Sequence, residues 1–248
     1  MDFSGHLWLL ASTTFLLAGL VKGVIGMGLP TIAMGLLSLA MPPAEAAAML
    51  IVPSLVTNVW QLLAGPRLGA VVRQLWGMMA GVVLGTIAGA GIIVGNAAGA
   101  AAVALGWALV VYAIVGLSGV KFSLPPRHRG WAGVVVGAIT GVITGATGVF
   151  VIPAVPYLQA IGLEKDDLIQ ALGLSFTVST LALGVGLLRM DAFQLASAGL
   201  SVLWLVPALG GMFLGQAIRD RIAAPTFRTV FFAGLLLLGI YLAFREIA

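Results

Sequence analysis

Charge is what this sequence has least of. Asp, Glu, Lys and Arg together make up 8% of its 248 residues, against roughly a quarter in an ordinary soluble domain. Hydrophobic residues make up 61%, and the mean hydropathy is +1.15. A domain of this size leaves much of its surface outside, so these apolar side chains cannot all be hidden in one interior. The composition therefore excludes a soluble globular enzyme and requires lipid as the solvent. Cysteine is absent, which excludes disulfides, thiolate metal ligands and a cysteine nucleophile. The only histidines, His6 and His128, are expected in loops, and no His, Cys or carboxylate cluster suits a metal, so neither metal nor cofactor is expected. No GxxxxGK[ST] occurs, so a nucleotide-driven pump finds no support. The 12 Lys and Arg give a net charge of +4, but they are scattered singly between apolar stretches. They read as topology signals, and no nucleic-acid partner is expected. The start, MDFSGHLWLL, lacks the basic region of a secretory signal peptide and reads as the first membrane segment.

What is present is a series of apolar runs: Leu7 to Ala40, Ala46 to Ala64, Leu75 to Val94, Ala101 to Val120, Trp131 to Ile161, Leu168 to Leu188, Phe193 to Ala217, and Thr229 to Phe244. About 20 helical residues cross a hydrocarbon core of roughly 30 Å, so six of these are ordinary spans. The first and fifth runs are too long for one crossing, and each is interrupted. Gly23, Gly26, Gly28 and Pro30 break the first; Gly141, Gly145, Gly148, Pro153 and Pro156 break the fifth. Glycine and proline end helices, and proline suits the first turn of a new one.

The polar loop KFSLPPRHRG divides the chain near its midpoint, and the halves match. Glu45, Thr57, Arg67 and Ala70 recur 122 residues later as Asp167, Ser179, Arg189 and Ala192. Gly19 and Gly23 recur 118 residues later as Gly137 and Gly141. This predicts an all-α integral membrane protein made of two inverted repeats, each a broken helix or re-entrant hairpin followed by three transmembrane helices. The first half covers 1–120 (broken helix 7–40, spans 46–64, 75–94 and 101–120), residues 121–130 connect, and the second half covers 131–248 (broken helix 131–161, spans 168–188, 193–217 and 229–244). If the broken runs turn back as hairpins, Arg67, Arg73, Lys121, Arg127, Arg129, Lys165, Arg219, Arg221 and Arg228 share one side, against Arg189 and Arg245. That division obeys the positive-inside rule better than single crossings do, and it puts both termini outside. Two short full spans per long run would give the same parity.

The breaks are the candidate site. A helix restarting inside the membrane exposes N–H groups and a partial positive charge, and irregular backbone is tolerated at that depth where it lines a cavity or is buried in protein. Two such termini, near the middle of the bilayer and facing each other, outline an anion site. Lys22 is the only charge deep within a run and joins it, unless it snorkels to the headgroups. The candidate substrate residues are Lys22, Gly26, Gly28, Pro30, Thr57, Asn58, Thr144, Thr147, Gly148, Pro153 and Ser179. Gln61, Ser175 and Thr180 add polar groups nearby. For single hydroxyls the competing role is a bond to a neighbouring helix or to their own backbone. For Gly81, Gly85, Gly89, Gly133 and Gly137 it is close helix packing.

With its Gly-rich break and following Pro in each half, Gly23 to Pro30 and Gly141 to Pro153, and its matched polar second segments, the sequence resembles the TauE/SafE family of sulfite exporters. The resemblance covers most of the chain, although the glycine clusters here are sparser than in that pattern. It implies export of sulfite, sulfonates or related sulfur anions. The expected protein is thus a multi-pass secondary transporter of the bacterial inner (cytoplasmic) membrane, exporting a small oxyanion by alternating access and not acting as an enzyme. A proton or ion is a candidate coupling partner, the lipid bilayer surrounds it, and Gly-rich faces would suit a homodimer. A passive anion channel and a non-transporting membrane scaffold subunit are the alternatives.

Overall fold

The computed structural model describes residues 5–94, 98–120, 122–192, 199, 201–221 and 223–245. Lys121, the segment 193–198 and both chain ends lie outside the described residues. Among these residues the bounded α-helices are, in order, α1 Gly5–Ile25, α2 Leu29–Leu37, α3 Pro43–Leu63, α4 Leu68–Val94, α5 Ala98–Ser118, α6 Arg129–Thr147, α7 Ala154–Ala160, α8 Lys165–Arg189, α9 Leu205–Ile218 and α10 Ala224–Phe244. Eight helices among the described residues are long and apolar enough to cross a membrane, and no strand occurs among them. The outer surface is apolar: Val206, Leu84 and Leu237 are 75%, 71% and 70% exposed. A surface of this kind belongs in hydrocarbon, and the chain is an all-α, multi-pass membrane protein.

Local chemistry sets the boundaries. Pro43 opens α3 and Glu45 lies in its first turn; Asp166 and Asp167 lie in the first turn of α8 and Arg189 in its last, each sign matching the helix dipole. Helix α4 starts at Leu68, before the apolar run at Leu75, because exposed Arg73 can reach outward from the helix end. His6, expected in a loop, lies in the first turn of α1, while His128 ends a 3-10 turn.

Both long runs are broken. Helix α1 ends at Ile25 and α2 begins at Leu29, with Gly26 and Gly28 at φ 76° and 108°. Helix α6 ends at Thr147 and α7 begins at Ala154, with Gly148 at φ 70° and a cis bond before Pro153. These left-handed conformations suit glycine. Helices α1 and α6 have 21 and 19 residues, so each covers about 30 Å before breaking.

Helix pairing follows from glycine contacts. A Cβ at Gly137, Gly141 or Gly145 would meet backbone of Met78, Val82 or Thr86, so α6 runs parallel to α4. Gly19 and Gly23 lie against the backbone of Ala208 and Met212, so α1 runs parallel to α9. Helix α3 is antiparallel to α8: Ser54 meets Thr180, Leu62 meets Gly173, and Arg67 just beyond α3 meets Asp167. Helix α5 is antiparallel to α10, with Gly106 on Ala243 and Gly116 on Phe232. Exchanging the halves maps α1·α9 onto α6·α4 and leaves α3·α8 and α5·α10 unchanged.

The two broken runs turn back on themselves. The backbone after α2 accepts hydrogen bonds from Arg245 at the end of α10, through Ser38 O and Leu39 O, each at 3.2 Å. At the opposite end, Leu124 N donates to Ala160 O at the close of α7 (2.9 Å), and Tyr157 Oη donates to Arg129 O at the start of α6 (2.7 Å). Arg67, Arg127, Arg129, Lys165, Arg219, Arg221 and Arg228 gather at this second end, hereafter the basic end.

Candidate functional site

A cavity of about 490 Å³ opens beside the first break, between the ends of α1, α3 and α9 and the start of α8. Lys22, Gly26, Met27, Gln61, Lys165 and Arg219 are among its lining residues, and none of the described lining residues is acidic. Lys165 and Arg219 come from the basic end; Lys22 lies deepest, 3% exposed. The protein thus builds a positively charged funnel with a low-dielectric floor, an arrangement that concentrates anions.

At the floor, Lys22 Nζ donates to Asn58 Oδ1. Asn58 Nδ2 in turn donates to Ser54 Oγ at 3.0 Å and reaches Thr180 Oγ1 at 3.4 Å, and the two hydroxyls are 3.2 Å apart. All three residues are essentially inaccessible. Sequence spacing explains the grouping: Ser54 and Asn58 are one helical turn apart on α3, and Thr180 follows Asn58 by 122 residues, so it occupies the matching position on α8. The ammonium also lies 5.9 Å from the centre of the Phe176 ring. Among the described residues no carboxylate lies within ion-pair distance of Lys22. A buried cation held only by an amide and a ring is under-compensated, and an anion in the cavity would supply the missing charge.

The other expected residues are arranged differently. Gly28 and Pro30 shape the first break but line neither this cavity nor the larger one beside it; a side chain at Gly28 would meet Val21 and Phe231. The hydroxyl of Thr57 donates to Pro53 O at 2.8 Å, within the turn where proline lacks its own N–H. Thr144 and Thr147 donate to Thr140 O and Ile143 O, both at 2.7 Å, and Thr147 Oγ1 accepts from Val149 N at 3.2 Å. They tie down the end of α6 and the start of the second break. Gly148 packs on Met34 of α2, and Pro153 precedes α7. Ser179 is buried with an unpartnered hydroxyl. The second break reaches the site through one aromatic contact, the Phe150 ring 5.4 Å from that of Phe176. Phe176 therefore stands between the two breaks.

Sequence reasoning left Ser54, Phe176, Lys165 and Arg219 out of the site. The turn-length spacing from Ser54 to Asn58 was a usable signal. Lys165 and Arg219 read as ordinary interfacial charges until tertiary packing brings them to one mouth. Trp60 also lines the cavity.

At the basic end, Arg67 joins the halves. Its Nε donates to Asp167 Oδ1 at 2.8 Å, and its Nη2 lies 2.6 Å from Asp167 Oδ2 and 2.9 Å from Glu164 Oε2. The hydrogen bond to Asp167, followed by the charges of Asp167 and Glu164, raises the guanidinium pKa above its ordinary value. Gln170 caps the end of α3, donating to Leu62 O and Gly65 O at 2.8 and 2.9 Å. The match of 122 residues makes Glu45 and Arg189 the counterparts of Asp167 and Arg67 at the opposite end, and that pair is not formed.

The family model described as "Sulfite exporter TauE/SafE" matches residues 11–242. No curated protein and no solved structure matches significantly. A match over nearly the whole chain, on a bundle of apolar helices with two broken runs, places the sequence plainly: it belongs to the TauE/SafE sulfite exporter family.

Proposed function

We propose that this protein is a secondary transporter of the bacterial cytoplasmic membrane that exports a small sulfur oxyanion, sulfite or an organosulfonate, by alternating access. The observation that carries this reading is the buried Lys22, with no described carboxylate within ion-pair distance, at the floor of a funnel with Lys165 and Arg219 at its mouth. The family's described activity agrees with it. Lys22 supplies the full positive charge, and Asn58, held by Ser54 and Thr180, orients it. Gly26 leaves the backbone uncovered beside it. The cavity opens at the basic end, the cytoplasmic side under the positive-inside rule, so the arrangement corresponds to an inward-facing state ready to load.

The halves are proposed to be inverted repeats related by a two-fold axis in the membrane plane. Antiparallel contact between the matching helices α3 and α8 supports this, because an axis along the membrane normal would leave them parallel. They meet near mid-length at Ser54, Asn58 and Thr180, which act as a pivot. Arg67 and Asp167 join their ends on the inward side, while Glu45 and Arg189 stand apart on the other. Rocking about the pivot exchanges the two ion pairs and closes the inward cavity.

Sulfite flux into proteoliposomes tests the function. Saturable uptake, accelerated by sulfite on the opposite side, is expected; uptake that neither saturates nor responds to counter-substrate would mean a channel. Absence of anion binding by the purified protein would leave a scaffold.

A further inference from the structure

A second and larger cavity, about 560 Å³, lies on the other side of the first break, among the ends of α5 and α7 and the start of α10. Its chemistry differs from that of the funnel. Val24, Tyr112, Val155 and Phe232 are buried in its floor, while Arg228, Gln159, Val120 and Phe122 stand exposed around its mouth. Among the described residues Arg228 is its only charged lining residue. Its Nη2 donates to Gly116 O at 3.2 Å, and its guanidinium lies 5.6 Å from the Phe232 ring, so the group is held over the cavity while other donors remain. An apolar floor with one fixed cation at the rim suits an amphiphile with one anionic group. A small, fully hydrated oxyanion would lose its water there without replacement.

We propose that this cavity is a binding site for an acidic phospholipid of the surrounding bilayer, its phosphate on Arg228 and one acyl chain over Phe232, Tyr112 and Met27. Two observations select a lipid over a water-borne anion. The mouth is bordered by Val120 and Phe122, 57% and 54% exposed, apolar side chains at the start of the connecting loop that an acyl chain would cover. The cavity also lies at the basic end, where acidic headgroups concentrate beside Lys and Arg. Val24, Ile25 and Met27 line both cavities, so a chain in the second contacts the same break that borders the anion site. Tyr112 Oη donates to Met27 Sδ at 3.1 Å and fixes that shared wall. The bound lipid therefore supports the break in its inward-facing position.

The test uses the full chain in nanodiscs of phosphatidylcholine alone or mixed with phosphatidylglycerol, with thermal unfolding and native mass spectrometry as readouts. Phosphatidylglycerol is expected to raise the unfolding temperature saturably above phosphatidylcholine and to remain bound in the spectrometer. Arg228→Gln should abolish that increment while keeping the phosphatidylcholine baseline and the stabilisation by sulfite, which acts at the separate Lys22 site. Val115→Trp, which fills the cavity from α5, should release the retained lipid. Equal stabilisation by the two lipids, an increment that survives Arg228→Gln, or the same increment from inorganic phosphate alone would each overturn the proposal.

Discussion

Lys22 is the residue on which the anion reading turns. Its burial, with no described carboxylate within ion-pair distance, makes its charge costly unless an anion accompanies it. Lys22→Gln should therefore act in two directions at once, raising the unfolding temperature of the anion-free protein and removing its stabilisation by sulfite. A variant that loses both folding and binding would mean that the ammonium is structural. Asn58→Asp is a sharper test, because it keeps the shape and places a carboxylate on the ammonium; sulfite flux at matched protein level should fall to background. Thr144→Val removes one intrahelical hydrogen bond worth about 1 kcal/mol and should leave apparent sulfite affinity nearly unchanged. An affinity loss in Thr144→Val as large as that in Asn58→Asp would move the site toward the second break. Residue type alone marked Lys22 as the charge deep in a run and gave Asn58 as one polar candidate among several. It could not separate them from Thr57, Thr144 and Thr147, whose hydroxyls bond to their own helices, because a side chain's direction is set by neighbouring elements.

At the scale of elements, the parallel pairs α4·α6 and α1·α9 depend on backbone contact. Gly141 lies where a Cβ would meet Val82 O and Thr86 N, and backbone atoms cannot turn aside. Gly141→Val should force the helices apart at a cost of 1 to 3 kcal/mol or more, read as a lower unfolding temperature in detergent. Gly210→Val, where nothing stands within 4 Å, should be nearly neutral. In sequence Gly141 stood among the residues expected to break the fifth run, whereas it lies inside α6 and packs on α4; Gly210 carried no signal. The breaks were legible because Gly and Pro act locally on the backbone. Where each helix begins was less so: α1 starts at Gly5 and runs 21 residues before Gly26.

For the whole molecule, the hairpin form of both broken runs makes the arrangement of ends testable. Single cysteines at Ser4, Ser123 and Ala248 can be introduced without removing native ones. In intact cells Ser4 and Ala248 should label with an impermeant thiol reagent and Ser123 should not. Labelling at Ser123 with protected termini would reverse the inward-facing assignment. The rocking mechanism makes a further demand: Arg67→Gln should slow sulfite exchange, and the charge-swapped pair Arg67→Asp with Asp167→Arg should restore part of it. An exchange rate untouched by Arg67→Gln would reduce the ion pair to a surface contact, since such exposed pairs contribute little to stability. By itself the sequence determined the solvent, the helical class and the breaks, because hydropathy and Gly/Pro chemistry are properties of the chain read locally. Only the tertiary structure decided that Lys22 meets Asn58, Ser54 and Thr180, that Lys165 and Arg219 share its cavity, and that Arg67 rather than Arg189 is paired. These are contacts between residues far apart in the chain, and the packing of antiparallel α3 and α8 and parallel α1 and α9 creates them.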